Sequence, residues 1–540
     1  MRPLRWLLAN KWLILVLLSI AGLSTFVWQQ PFGRDQGIFA YIGEGILDGH
    51  VPYRDAWDHK PPGIDFTYSL AFAVFGRQMI SVHILETCSI LATAYFLHRI
   101  GRNLRGQGTA VLAALVYGFG TVLLFEWWDR GQAEMFMSLP MTLSAYCLLR
   151  RVPSPWWSLF LAGLLAGIAM DFKPTAAPWF LVVFLVAMIS ARDRARLQKT
   201  RARWSFFLLP GITILGLVVS QVPMFSYFAV NGAVRDLYEA VVVFNTFHVQ
   251  TGASLAPEDL ALATLQFGER MSIVSPLAVL GGIIWLRGRD RRAGAVVLAW
   301  VGAAVLGIWM QGKFFSYHWS LVLPPLALLA AVGAVAAGSN LRHSFHIGAG
   351  AGTSPVVLTA IACLSGLAYL SVAVPAVGPK LQRDLAYLTG REQERDYLAN
   401  FGHNIRGTDV YSFLAAQDTA AYLDAQTKED DTILVWGFQA LVNYLAHRRA
   451  PSRYVFDYPL TIEQPESELR QEARDTFLTD IREKRPIYIV TVTNDVNPLQ
   501  AVDSQQLLND FPEFKAVIDR DYRLEKDIAD FHLYRRLPDK

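Results

Sequence analysis

Cysteine is almost missing from this chain. Three occur in 540 residues, Cys88, Cys147 and Cys363, and all fall inside apolar stretches. A thiol there packs as a small hydrophobe. The long hydrophilic stretches hold none, which excludes disulfide staples and cysteine-based metal sites in them. Charge is the second shortage. Charged residues make up 18% and hydrophobic residues 53%, whereas a soluble domain carries about 25% charge. An ordinary water-soluble globule is excluded. Also missing is a basic face interleaved with aromatics. Lys and Arg sit in short loops between apolar runs, so no nucleic-acid partner is expected.

What is present divides in two. Residues 1–375 are a ladder of apolar segments, and residues 376–540 read as soluble protein. The net charge is roughly +10 in the first part and roughly −7 in the second. A span needs about 20 mostly apolar residues. Segments near 11–29, 80–98, 109–125, 136–149, 156–171, 175–191, 206–228, 272–286, 294–310, 319–338 and 355–374 qualify. The expected fold is therefore a polytopic α-helical membrane protein of about eleven spans with a C-terminal α/β domain. The apolar stretch 64–76 is short and reads as an interfacial helix. The first segment is longer than a signal-peptide core and lacks a small-x-small cleavage site, so it reads as an uncleaved anchor.

Positive charges orient the ladder. Arg2, Arg5 and Lys11 precede the first segment; Arg99, Arg102 and Arg105 follow the second. Arg150 and Arg151, the 192–203 cluster, the 287–292 cluster and Arg342 recur after every other segment. Those loops are expected on the cytoplasmic side. The loops near 30–79, 126–135, 171–175, 229–271 and 311–318, and the tail, are expected outside.

The outer loops hold nearly all the titratable residues next to the membrane. The first supplies Asp35, Arg54, Asp55, Asp58, His59 and Lys60; the second Glu126, Asp129, Arg130 and Glu134. Later loops add Asp171, Lys173, Lys313, Tyr317 and His318. Charge near a bilayer is costly and marks a site. Bases and acids at one membrane face suit transfer from a lipid-linked phosphate: cations for the phosphate, a carboxylate for the nucleophile's proton. Each residue also has a plainer use. Asp35 suits the cap of a helix over 36–47. Lys60 suits an interface anchor. Arg130 and Glu134 suit a surface pair four residues apart. Lys173 before Pro174 suits a loop turn. Trp127, Trp128 and His318 suit an interfacial belt.

The order Gly33-Arg34-Asp35-Gln36, a helix pattern, then His59-Lys60-Pro61-Pro62 closely resembles the first external loop of the polyprenyl-phosphate-sugar-dependent membrane glycosyltransferases of the GT-C type. These include protein O-mannosyltransferases and lipid A aminoarabinose transferases. Glu134 in Gln132-Ala133-Glu134-Met135, Lys173 in Asp171-Phe172-Lys173-Pro174, and Tyr317-His318 before Leu323-Pro324-Pro325 match later features of that family. In the tail, Val435-Trp436-Gly437 and Ser452-Arg453-Tyr454 resemble bacterial members.

The resemblance implies Asp35 as catalytic base. It implies Lys60, Arg130, Lys173, His318 and Tyr317 at the donor phosphate, with Asp58, His59 and Glu134 supporting or at the acceptor. It also implies inversion at the anomeric carbon. Two departures stand out: Gln36 follows Asp35, and His59 precedes Lys60, where relatives carry acids. A divalent metal is therefore left open, and no other cofactor is expected. The expected partners are a polyprenyl-phosphate-sugar donor, membrane lipids and a protein, lipid or glycan acceptor. The expected place is a bacterial inner membrane with the tail outside. A transporter or lipid flippase is the rival class, but such proteins need polar groups near the bilayer midplane, and the segment interiors here carry almost no charge.

In the tail, 434–436, 488–492 and 530–534 read as strands, and 415–425 and 467–484 as helices. Neither a Gly-rich phosphate loop nor a metal-ligand spacing occurs there. An acceptor-binding or lid role without its own chemistry is the expectation.

Overall fold

The computed structural model describes residues 10–150, 155–197, 202–248, 255–272, 274–346, 377–405, 408–462, 468–497, 500 and 502–538. The chain forms two compact units. The first comprises residues 1–28, 83–223 and 254–385; the second comprises 29–82, 224–253 and 386–540.

The first unit is helical. Met79–Arg105, Pro174–Arg194, Phe206–Val230 and Arg291–Gln311 are long and apolar enough to cross a membrane, and Pro257–Met271 with Val274–Arg287 qualify jointly. Shorter apolar helices include Lys11–Ser24, Gln107–Leu123, Ala133–Leu149, Trp156–Phe172 and Leu323–Gly338. The first ten expected segments all fall on these helices; the eleventh, 355–374, lies outside the described residues. The helix Pro257–Met271 falls in a stretch that hydropathy leaves as loop, because Glu258, Asp259, Glu269 and Arg270 dilute its apolar face.

Trp179, Trp285 and Trp300 are fully buried in this unit. Small residues let its helices approach closely. A Cβ on Gly281 would lie 1.9 Å from the Leu329 carbonyl oxygen, and one on Gly333 2.0 Å from that of Leu277. The helices Val274–Arg287 and Leu323–His346 are thus locked by a reciprocal glycine pair.

The second unit is built on a four-stranded sheet. Its strands are β3 (Ile433–Trp436), β4 (Tyr488–Val492), β5 (Tyr522–Ile528) and β6 (Phe531–Arg536), in the order β3-β4-β6-β5. β3 and β4 run parallel, and the other pairings are antiparallel. A separate hairpin pairs β1 (Gly402–Ile405) with β2 (Thr408–Ser412). β3, β4, β6 and the helices Phe413–Gln426 and Glu468–Lys484 occupy the expected places. β5 is not apparent in the sequence because Tyr522 is its one buried residue and Arg523, Glu525, Lys526 and Asp527 make most of the rest of this edge strand charged.

Residues 29–82, which hydropathy groups with the membrane part, belong to this second unit. The helix Arg34–Leu47 packs on Gly63–Phe75 and on Ala440–Leu445. Its glycines set the spacing: a Cβ on Gly37 would lie 2.6 Å from Leu441 Cβ, and one on Gly43 2.8 Å from Tyr68 Cβ. Trp57 N donates to the Arg453 carbonyl (2.7 Å) and Ala450 N to the Tyr41 hydroxyl (3.0 Å).

The glycine pair of the first unit carries a prediction. Gly281→Ala should destabilise the protein by roughly 1–3 kcal/mol, because the new methyl meets backbone that cannot rotate away. Thermal unfolding in detergent measures it. An unchanged midpoint would show that the two helices separate freely.

Candidate functional site

Asp35 lies in the first turn of Arg34–Leu47, and Gly33 holds the N-cap position. The expectation of Asp35 as the cap is corrected. The turn is closed instead by Gln36, whose Oε1 accepts Gly33 N at 2.9 Å. The Asp35 carboxylate remains 23% exposed, with Oδ1 3.7 Å from Lys60 Nζ. A carboxylate in a first helical turn is favoured by the helix dipole.

Lys60 is not a solvated interface anchor. Its side chain is 8% exposed, and its ammonium lies 4.7 Å from the centre of the Phe39 ring. Its carbonyl accepts the Tyr53 hydroxyl at 2.7 Å. Asp58 beside it is fully buried. Its Oδ1 accepts His59 N at 2.7 Å and lies 3.2 Å from His59 Nδ1. Burial pushes the Asp58 carboxyl up, but the Lys60 charge and then His59 outweigh it and hold it below the usual carboxylate range.

The His59 ring lies 4.4 Å from that of His248, whose Nδ1 is 2.8 Å from the Tyr458 hydroxyl. Asp65 is a third carboxyl of this region, fully buried on the helix Gly63–Phe75. Sequence reasoning missed it. An Asp two residues inside an apolar helix, just after Pro61-Pro62, was the available signal.

The first unit holds a second cluster. Glu134 is fully buried in the opening turn of Ala133–Leu149, which removes it from any surface pair with Arg130. Its Oε1 lies 2.5 Å from Lys173 Nζ and 3.6 Å from His318 Nε2. Lys173 also donates to Gln311 Oε1 (3.1 Å) and lies 5.4 Å from the Tyr317 ring centre. The Tyr317 and His318 rings meet edge to face at 4.7 Å. His318 and Trp127 are buried, not belt residues. Gln311 was not anticipated; it closes a helix whose other residues are almost all apolar.

Arg130 is 1% exposed. Its guanidinium donates to the carbonyls of Thr121 (2.7 Å), Val122 and Phe125 (3.5 Å). Those contacts fasten the end of the preceding helix. The neighbouring Asp129 accepts Ser316 Oγ at 2.6 Å and Glu126 N at 2.9 Å. Among the described residues, no three His, Cys, Asp or Glu side chains are grouped so as to hold a metal ion.

The model of the dolichyl-phosphate-mannose-protein mannosyltransferase family matches residues 59–222. Two mycobacterial proteins named polyprenol-phosphate-mannose-dependent α-(1-2)-phosphatidylinositol mannoside mannosyltransferase are similar to the chain. That of Mycolicibacterium smegmatis is 28% identical over 364 residues, 59% of this chain and 75% of its own. That of Mycobacterium tuberculosis is 30% identical over 351 residues, 60% of this chain and 77% of its own. The fold is similar to that of ArnT from Cupriavidus metallidurans bound to undecaprenyl phosphate. The TM-score is 0.57 at 12% sequence identity, over 98% of this chain and 99% of that one.

The charge balance around Lys60 can be tested by stability alone. Asp58 has a folded-state pKa below its unfolded value, so its contribution is present above about pH 4 and lost only below it. In Lys60→Met, burial of Asp58 is opposed by His59 without the Lys60 charge, and its carboxyl rises. The variant should lose roughly 3–5 kcal/mol at pH 8 and recover part of it at pH 5, where Asp58 takes up a proton on folding. Unfolding midpoints of variant and wild type at the two pH values measure it. An equal deficit at both would show that the Lys60–Asp58 interaction is unimportant.

Proposed function

Because the chain belongs to the polyprenyl-phosphate-sugar-dependent membrane glycosyltransferases of the GT-C type, we propose that Asp35 is its catalytic base, acting beside Lys60. The single observation that carries this is the Asp35 carboxylate, part-exposed and 3.7 Å from a buried ammonium. The protein is an integral membrane glycosyltransferase. Its donor is a polyprenyl-phosphate sugar, and the names of the mycobacterial relatives make mannose the first sugar to test.

An acceptor O–H gives its proton to Asp35 as its oxygen attacks the anomeric carbon. The bond from that carbon to the phosphate oxygen breaks, and polyprenyl phosphate leaves. Attack from the face opposite the phosphate inverts the centre. Lys60 offers the departing phosphate a charge-assisted hydrogen bond. Lys173 and His318, organised by Glu134, are a second pair of nitrogen groups of the kind a lipid phosphate takes. Arg130 is assigned to the architecture of the 121–130 turn, because its donors serve carbonyls. We place the protein in a bacterial inner membrane, and the alternation of basic loops supports the C-terminal region on the outer side. The acceptor is a hydroxyl-bearing lipid, protein or glycan of that compartment.

Purified protein in detergent should release or transfer labelled sugar from polyprenyl-phosphate mannose faster than from the glucose or arabinose analogues. Asp35→Asn keeps the shape of the side chain but takes no proton. It should slow the reaction by roughly 10²–10⁴-fold, with expression and donor affinity little changed. Near-full transfer by Asp35→Asn would remove Asp35 as the base.

Lys173→Met should raise the donor KM about tenfold or more, since charged hydrogen bonds are worth about 1.5–3 kcal/mol each. Steady-state kinetics against donor concentration read this out. An unchanged KM would restrict Lys173 to neutralising Glu134.

A further inference from the structure

We propose that Arg34 is the positioning residue for the Asp35 base: it ties the N-terminus of the catalytic helix to the turn at Asp495–Val496. This rests on the assignment of Asp35 as base.

Arg34 occupies the first position of its helix, where the helix dipole disfavours a cation. It is nevertheless buried, at 8% exposure. Such a charge persists only where fixed groups replace its water. Those groups come from far along the chain. Arg34 Nη1 donates to the carbonyls of Asp495 (2.9 Å) and Val496 (3.2 Å). Its guanidinium carbon lies 5.4 Å from the Tyr411 ring centre. The Tyr411 hydroxyl in turn donates to the Phe32 carbonyl at 3.2 Å. Residues 32–36 are thus held by Tyr411 at one end, by the 495–496 turn next to Asp35, and by Gln36 internally.

The anchor is itself fastened. Asp495 Oδ1 accepts Ser504 N (2.7 Å) and Oδ2 accepts Ser504 Oγ (2.6 Å). The Ser504 carbonyl accepts the indole N–H of Trp436 at 2.7 Å, on β3. A continuous run of hydrogen bonds therefore leads from the sheet to the residue before the base.

The test compares wild type, Arg34→Met, Asp35→Asn and the double variant as monodisperse protein, with polyprenyl-phosphate mannose as probe and water as acceptor. A displaced base loses about 10²-fold in rate. Arg34→Met should lower kcat by about that factor with donor KM within about threefold, and the double variant should be no slower than Asp35→Asn. Arg34→Lys should fall between, because an ammonium can donate to the carbonyls but lacks the planar guanidinium that lies by the Tyr411 ring.

Losses that multiply in the double variant would overturn the proposal, since Arg34 would then act independently of Asp35. If Arg34→Met does not fold, Arg34→Lys is read in the same cycle. Full activity of Asp35→Asn would instead overturn the base assignment itself, a separate result.

Discussion

The residue before Asp35 donates to two backbone carbonyls more than 460 positions further along the chain. The arrangement around the first loop depends on that contact. Burying a guanidinium against a helix dipole is unfavourable by itself. It becomes stable because Asp495, Ser504 and Trp436 are already fixed by the sheet. The apolar core of the second unit, including Val435, Val490 and Leu533, thereby determines where a polar loop turns. Glycine at positions 37 and 43 lets the same helix lie flat against its two neighbours.

Both charged clusters follow one electrostatic rule in separate parts of the molecule. In each, a carboxylate is set against a lysine that is itself largely withdrawn from water: Asp35 against Lys60, and Glu134 against Lys173. Breaking such a pair leaves an uncompensated charge. The pairing also restrains the ammonium in a defined position. A long, flexible lysine would otherwise sample many rotamers, and a phosphate would bear the entropic cost of ordering it. The difference between the clusters is exposure of the partner acid: Asp35 retains access to solvent, whereas Glu134 does not.

The membrane part was legible because hydropathy is a one-dimensional signal. Ten expected segments fall on apolar helices, and β3, β4 and β6 lie where β-branched and aromatic runs place them. The first-loop motif pointed to Asp35 and Lys60, and the structure sets them side by side. The rest was hidden for physical reasons. Arg34 looks like any loop arginine until the 495–496 turn meets it, and no local pattern encodes a partner so distant. The capping role given to Asp35 belongs to its neighbours because the chain turns one step earlier, at Gly33. Arg130 carries the same charge as Lys173, but its flat fork suits converging carbonyls at a helix end. Composition cannot distinguish those two uses of a cation.

The parallel pairing of β3 with β4, and the run of bonds from Trp436 outward, bear on modularity. A soluble region joined to a membrane part by one linker could be exchanged between relatives as a cassette. Here the region after residue 386 shares a compact unit with residues 29–82, and its turn at 495–496 fixes the backbone of the first loop. A transplanted C-terminal region would need its own matching first loop. The two segments, far apart in sequence, are thus expected to be inherited and to diverge as a pair.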